Sequence, residues 1–156
     1  MDDLQRQTGL AAFIDRADGI DAEEALSRAD LHLAAMKDKV HKSLADSVQE
    51  IGALIGDAAP SEPDMRRLYH LSDGVLSVAS LYGKEALGRA AYSLCDLLHA
   101  FGNQRCWNAA AVRLHHDAMR LLQAAPHPSA DDSAHLLRGL EKVVAAFAPQ
   151  RRMADA

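Results

Sequence analysis

The sequence predicts an all-α protein: an antiparallel four-helix bundle with an additional C-terminal helix and a short N-terminal helical segment. Three observations support this. Alanine and leucine are abundant, aromatic residues make up only 4% of the chain and β-branched runs are missing, a composition that favours helix over sheet. Apolar residues recur at three- and four-residue intervals through five separate stretches. The breaks between those stretches carry the glycine, proline and capping signals that end helices. With 156 residues, 49% of them hydrophobic, the chain can bury one sizeable core but not two. The expected organisation is an N-terminal segment over 1–20, a single helical domain over 21–148 with its bundle core at about 22–124, and a disordered tail over 149–156.

The elements follow in order. Leu10 to Ile14 form a short amphipathic fragment closed by Asp18-Gly19. From Asp21 to about Gly56, Leu26, Leu33, Val40, Leu44, Ile51 and Ile55 mark one apolar face, with Ala29, Met36 and Val48 filling it. A helix of that length spans about 50 Å, so it must either run the full length of the bundle or break, and any bend is expected between Asp30 and Leu33. Pro60 stops it, and Ser61 is a candidate N-cap with Asp64 three residues on and Pro63 tolerated in the first turn. The next helix runs over 61–82 with Met65, Leu68, Tyr69, Val75, Leu76, Ala79 and Tyr82 inward, and breaks at Gly83. A helix over 84–101 carries Leu87, Leu94, Leu98 and Phe101 and ends at Gly102-Asn103. Its short connection makes it the antiparallel neighbour of the helix before it. Trp107 to Gln123, with Val112, Met119 and Leu122 inward, and a last helix from Ser129 to about Phe147 complete the set.

Composition excludes several functions. Seventeen basic against twenty-two acidic residues give a net charge of -5, and no stretch gathers lysine and arginine without acidic neighbours except the short Arg151-Arg152, so nucleic acid is not an expected partner. No apolar stretch approaches the ~18 residues that cross a bilayer, and MDDLQRQTGL lacks the pattern of a signal peptide. Cys95 and Cys106 are too far apart for a CxxC unit and read as reduced thiols, so a cytoplasmic protein is expected. The eight histidines form no HExxH and no His-x3-His pair on one helix face, and the adjacent His115 and His116 point about 100° apart. No metal and no cofactor are expected. With no P-loop, nucleophile elbow or dinucleotide fingerprint either, the chain does not read as an enzyme.

One stretch is unusual. Opposite its core face, the helix over 61–82 carries His70, Asp73, Gly74 and Ser77 at helical spacing, a small polar stripe where a solvent-facing helix usually has long charged side chains. A helical hairpin in a bundle with such a notch resembles the histidine phosphotransfer (Hpt) domain of bacterial phosphorelays. In that family the first helix carries His-x-x-Lys-Gly, and a second glycine, ten residues after the histidine, opens the next helix. Aligned on Gly83, Tyr92-Ser-Leu-Cys95 and the run from Val112 to Leu122 resemble segments of an alphaproteobacterial branch, and the likeness covers about 22–124.

The chain departs from the family at the acceptor. Ten residues before Gly83 stands Asp73, with Leu76 at the family's lysine position and Ser77 at its first glycine. His70 lies three residues earlier, about 4.5 Å along the axis and about 60° around it. The resemblance therefore implies a degenerate module of two-component or chemotaxis signalling that binds a response regulator receiver, and through it a histidine kinase pathway, without a phospho-histidine. The binding residues it implies are Asp73, Gly74, Leu76, Ser77 and Gly83. An active phosphocarrier using His70 is the alternative, and a homodimeric helical scaffold a further one. The resemblance implies a monomer.

Overall fold

The computed structural model describes residues 22–125 and 129–147, and all of its elements are helical, with no strand among the described residues. The elements are α1 (Ala22–Ala53), α2 (Glu62–Ala79), a 3₁₀ turn (Ser80–Tyr82), α3 (Glu85–Gln104), α4 (Ala109–Ala124) and α5 (Ala130–Phe147). The fragment Leu10–Ile14, the Pro126-His-Pro128 connection and the tail over 149–156 lie outside the described residues. By Cα proximity the chain divides into two units, Met1–Asp38 and Lys39–Ala156, with α1 contributing to both.

In the first unit, α1 begins with Glu23 and Glu24, whose charges favour the positive end of the helix dipole, and Glu24 accepts a 2.7 Å hydrogen bond from Arg28 one turn on. The segment Asp30–Leu33 continues as helix, so of the two alternatives, an unbroken helix or a break there, the helix is unbroken. Leu26, Leu33 and Met36 were expected inward, yet they are 68%, 55% and 53% exposed. Periodicity identifies an apolar face but not its cover, and among the described residues of this unit nothing packs on it.

In the second unit the core gathers around α3. Eleven of its twenty residues are buried, too many for a one-sided amphipathic helix, and it packs against α2, α4 and α5. Its sequence makes this possible by alternating size: Leu87, Leu94, Leu97, Leu98 and Phe101 fill space, while Gly88, Ala90, Ala91 and Ala100 let neighbours approach. Each fully buried leucine contributes roughly 1.5–3 kcal/mol of transfer free energy. The later part of α1 adds Leu44, Val48 and Ile51 to the same core.

The caps explain the element ends. Ser61 accepts from the Asp64 N–H, the expected N-cap, and its hydroxyl donates to the Asp64 carboxylate at 2.6 Å; Ser129 and Asp132 repeat both bonds at the start of α5. Helix α1 ends at Ala53, earlier than expected, because the last turn tightens and the Leu54 N–H is shared between the Glu50 and Ile51 carbonyls. Helix α2 tightens into the 3₁₀ turn before Gly83, whose φ of 72° is the left-handed conformation glycine adopts without a Cβ penalty. Helix α3 overruns Gly102, and Arg105 takes the left-handed position instead, at φ 50°. The extra turn is held in place: Phe101 lies edge-on to Trp107 and Phe147, and Gln104 donates to the Phe147 carbonyl. Trp107 is therefore a cover for the end of the core, its indole N–H directed at the Gly56 carbonyl, and α4 starts only at Ala109 because Asn108 caps it.

Two glycines mark close approaches. A Cβ on Gly52 would stand 2.6 Å from Nε2 of His116, whose ring donates to the Val48 carbonyl at 3.1 Å and so ties α4 to α1. A Cβ on Gly88 would stand 2.8 Å from Ser80 Oγ. In an open helix interior Gly→Ala stabilises by up to about 1 kcal/mol. Gly139, with nothing within 4 Å of its Cβ position, should follow that rule. Gly52→Ala should invert it and cost about 1–3 kcal/mol through overpacking. Chemical denaturation of the two variants beside the wild type measures both signs.

Candidate functional site

The notch predicted from sequence lies on α2, on the side turned away from α3. Leu68, Ser72, Val75 and Ala79 are the buried residues of this helix, and Ser72 satisfies its hydroxyl on the Leu68 carbonyl at 2.8 Å. That face fixes the opposite one. His70, Asp73, Gly74 and Ser77 are all exposed. Nothing lies within 4 Å of a Cβ placed on Gly74, so the surface beside Asp73 is open. Leu76 differs from the other notch residues: it is half-buried and lines a groove of about 460 Å³ with Ser80, Tyr92, Asp96, Leu137 and Val144, between α2, α3 and α5. Tyr69, expected inward, is 42% exposed, and its ring meets that of His70 edge-on at 6.3 Å. Ser72 occupies the inward position that the larger aromatic was expected to fill.

His70 and Asp73 have different surroundings. His70 lies in a shallow depression with Pro63, Arg66, Arg67 and Leu71, so two guanidinium groups stand one turn before it. Both are engaged, Arg66 with Glu62 at 3.2 Å and Arg67 with Glu50 of α1. Burial, and after it the nearby charges of Asp73 and of Asp96, oppose ionisation of Cys95 and push its thiol up to about 11. Cys95 is thus a packing residue, not a nucleophile, near neutral pH.

The buried chemistry lies elsewhere. Ser93 on α3 and His115 on α4 are 3.0 Å apart, Oγ to Nε2, and His115 Nδ1 is 2.9 Å from the Ala111 carbonyl. A carbonyl can only accept, so Nδ1 carries the proton and Nε2 accepts from the Ser93 hydroxyl. Burial holds the His115 pKa below its ordinary value, partly offset by that carbonyl. Neutral, doubly bonded and fully buried, the ring joins α3 to α4. His116 points to Val48 instead, so the adjacent histidines serve different helices.

Lys84 was not singled out from sequence, although its place after Gly83 was available as a signal. Its ammonium bonds the Gln123 and Ala125 carbonyls at 3.2 and 2.9 Å, at the negative end of α4. The hairpin turn is thereby anchored to a third helix. Among the described residues no cluster of three or more His, Cys, Asp or Glu side chains is placed to hold a metal ion, and no helix is long and apolar enough to cross a membrane. Comparison with known proteins finds no matching family model, no matching curated protein and no matching solved structure.

The Ser93–His115 bond has a pH signature. A histidine whose folded pKa is depressed stabilises the fold above its unfolded value of 6.5, where it is neutral in both states, and that stability is lost as pH falls below it. Denaturation midpoints should drop between pH 7.5 and pH 5, and the drop should shrink in His115→Leu. Ser93→Ala alone leaves Nε2 without a donor and should cost about 1–3 kcal/mol, whereas Ser93→Ala with His115→Leu removes both partners and should cost less than the sum of the single changes.

Proposed function

We propose that this chain is an Hpt-like signalling module of a two-component or chemotaxis phosphorelay, which binds a response regulator receiver through the outer face of α2 without a phospho-histidine of its own. In this reading the helices form an antiparallel four-helix bundle extended by α5. The reading rests on one observation above others: α2 and α3 form a hairpin turned by Gly83 in the left-handed conformation, and ten residues before that glycine an exposed Asp73 stands where the family has its histidine. The open surface at Gly74 and the small exposed Ser77 leave room for a receiver to approach closely.

The chemistry of Asp73 argues for binding over transfer. Phosphorelay needs an imidazole nitrogen, nucleophilic near neutral pH, whose phosphorylated ring is a good donor. A carboxylate forms only an acyl phosphate. On a docked receiver, Asp73 would instead present a fixed negative charge to the acidic, Mg²⁺-binding pocket where a phosphoryl group normally passes.

A second reading, a phosphocarrier using His70, is favoured by the exposure of that ring and by Arg66 and Arg67 in the same depression, where cations would favour an added phosphoryl group. It requires the receiver to dock nearly one turn along α2.

A radiolabel assay separates the two. The protein is incubated with a phosphorylated receiver, or with a histidine kinase and ATP, beside His70→Ala and Asp73→Ala. The binding module should take up no label, and its affinity for a receiver should fall at least tenfold when Ser77 is replaced by a bulky residue. Label that disappears in His70→Ala alone would overturn it in favour of the phosphocarrier.

A further inference from the structure

The first unit carries an apolar face that the proposed receiver surface on α2 does not use. Leu26, Ala29, Leu33 and Met36 are all exposed and follow the alternating three- and four-residue spacing of a coiled-coil seam over four positions. At 100° per residue they fall within about 80° of one another around α1, a single stripe. An isolated exposed leucine needs no explanation, but a seam of this spacing does.

We propose that this stripe is a self-association surface, on which α1 of a second copy lies antiparallel. Two features of the sequence on this face select that occupant. The first is size: when Leu26 is opposite Met36 of the other copy, Ala29 falls opposite Leu33, so each large side chain at the centre meets a small one and the two helices can approach closely. The arrangement is two-fold symmetric, as an isologous contact requires. The second is charge. Glu23 and Lys37 flank the stripe on the same side, so the antiparallel register brings Glu23 of each copy against Lys37 of the other, at both ends of the seam. A parallel register instead brings His32 beside Lys37 and forms neither pair.

The same register places Asp30 near its own equivalent at the centre of the contact. That like-charge meeting weakens the dimer and gives it a signature no other occupant of the stripe would have. Self-association departs from the monomer that the family resemblance implies.

The test is analytical ultracentrifugation of the full chain from about 5 to 500 µM, on the wild type, Leu33→Asp and Asp30→Asn. Leu33 is exposed, so its replacement should leave far-ultraviolet circular dichroism unchanged. The wild type should show a concentration-dependent monomer–dimer equilibrium, Leu33→Asp should be monomeric throughout, and Asp30→Asn should shift the equilibrium toward dimer by several-fold. Oxidative cross-linking checks the register: an equimolar mixture of Ala29→Cys and Leu33→Cys chains should give predominantly the mixed disulfide. A monomeric wild type at the highest concentration would overturn the proposal, as would dimerisation indifferent to Leu33→Asp or self-linked Leu33→Cys as the main product. Leu33→Asp that lowers the unfolding midpoint of a monomeric wild type would show that the chain's own N-terminal segment covers the stripe instead.

Discussion

The burial of α3 on several sides at once is the constraint from which the rest of the second unit follows. A helix with eleven buried residues needs partners along most of its circumference, and α2, α4 and α5 supply them. Such a helix also has little room for polar groups, so those it carries must be bonded within the core. Ser93 meets this demand through His115, and His115 through Ala111. The histidine costs little in the folded state because burial keeps it neutral, and both ring nitrogens have partners.

The same constraint decides what α2 can offer to a partner. Its inward residues, Leu68, Ser72, Val75 and Ala79, are committed to the core, and the close approach at Gly88 sets α2 tightly against α3. The outward face is then fixed by helical geometry and cannot rotate without unpacking the core. Gly83 and Lys84 reinforce that rigidity from the turn, one by its left-handed backbone and the other by bonding the end of α4. A surface held in this way would lose little conformational freedom on binding, in keeping with the receiver recognition proposed for it.

Much of this was legible in the sequence, and the places where it was not share a cause. The helix count, the Ser61 and Ser129 caps and the break at Gly83 depend on neighbours within a few residues, and local patterns report them faithfully. Helix ends governed by distant contacts were misjudged: α3 runs past Gly102 because Phe101 and Gln104 are held by Trp107 and Phe147. The inward placement of Tyr69 and Met36 failed for a related reason. Periodicity assigns residues to a face, but the partner across that face is a tertiary fact, and an alternative narrower stripe through Ser72 fits the same spacing. Of the candidate site, the stripe His70–Asp73–Gly74–Ser77 was legible because it is a single-helix property, whereas the half-buried setting of Leu76 depends on α3 and α5, and the pairing of Arg67 beside His70 depends on Glu50 of α1.

The two readings of the α2 face differ most in electrostatics. Around His70 the positive groups are already neutralised in part, Arg66 by Glu62 and Arg67 by Glu50. A phosphoryl group added there would have to draw those guanidinium groups from exposed ion pairs, each worth at most about 1 kcal/mol, so the exchange is feasible. One turn further on, however, it would meet Asp73, a carboxylate on the same face and next to the opening at Gly74. Repulsion between the two anions would grow as a receiver excluded water from the interface, since the effective dielectric falls there. A carrier would therefore be least stable in the complex in which it must act, whereas a module that binds without transfer needs only one negative charge on this face. Asp73 supplies that charge permanently, and this is why the non-transferring reading is the better physical fit to the face as it stands.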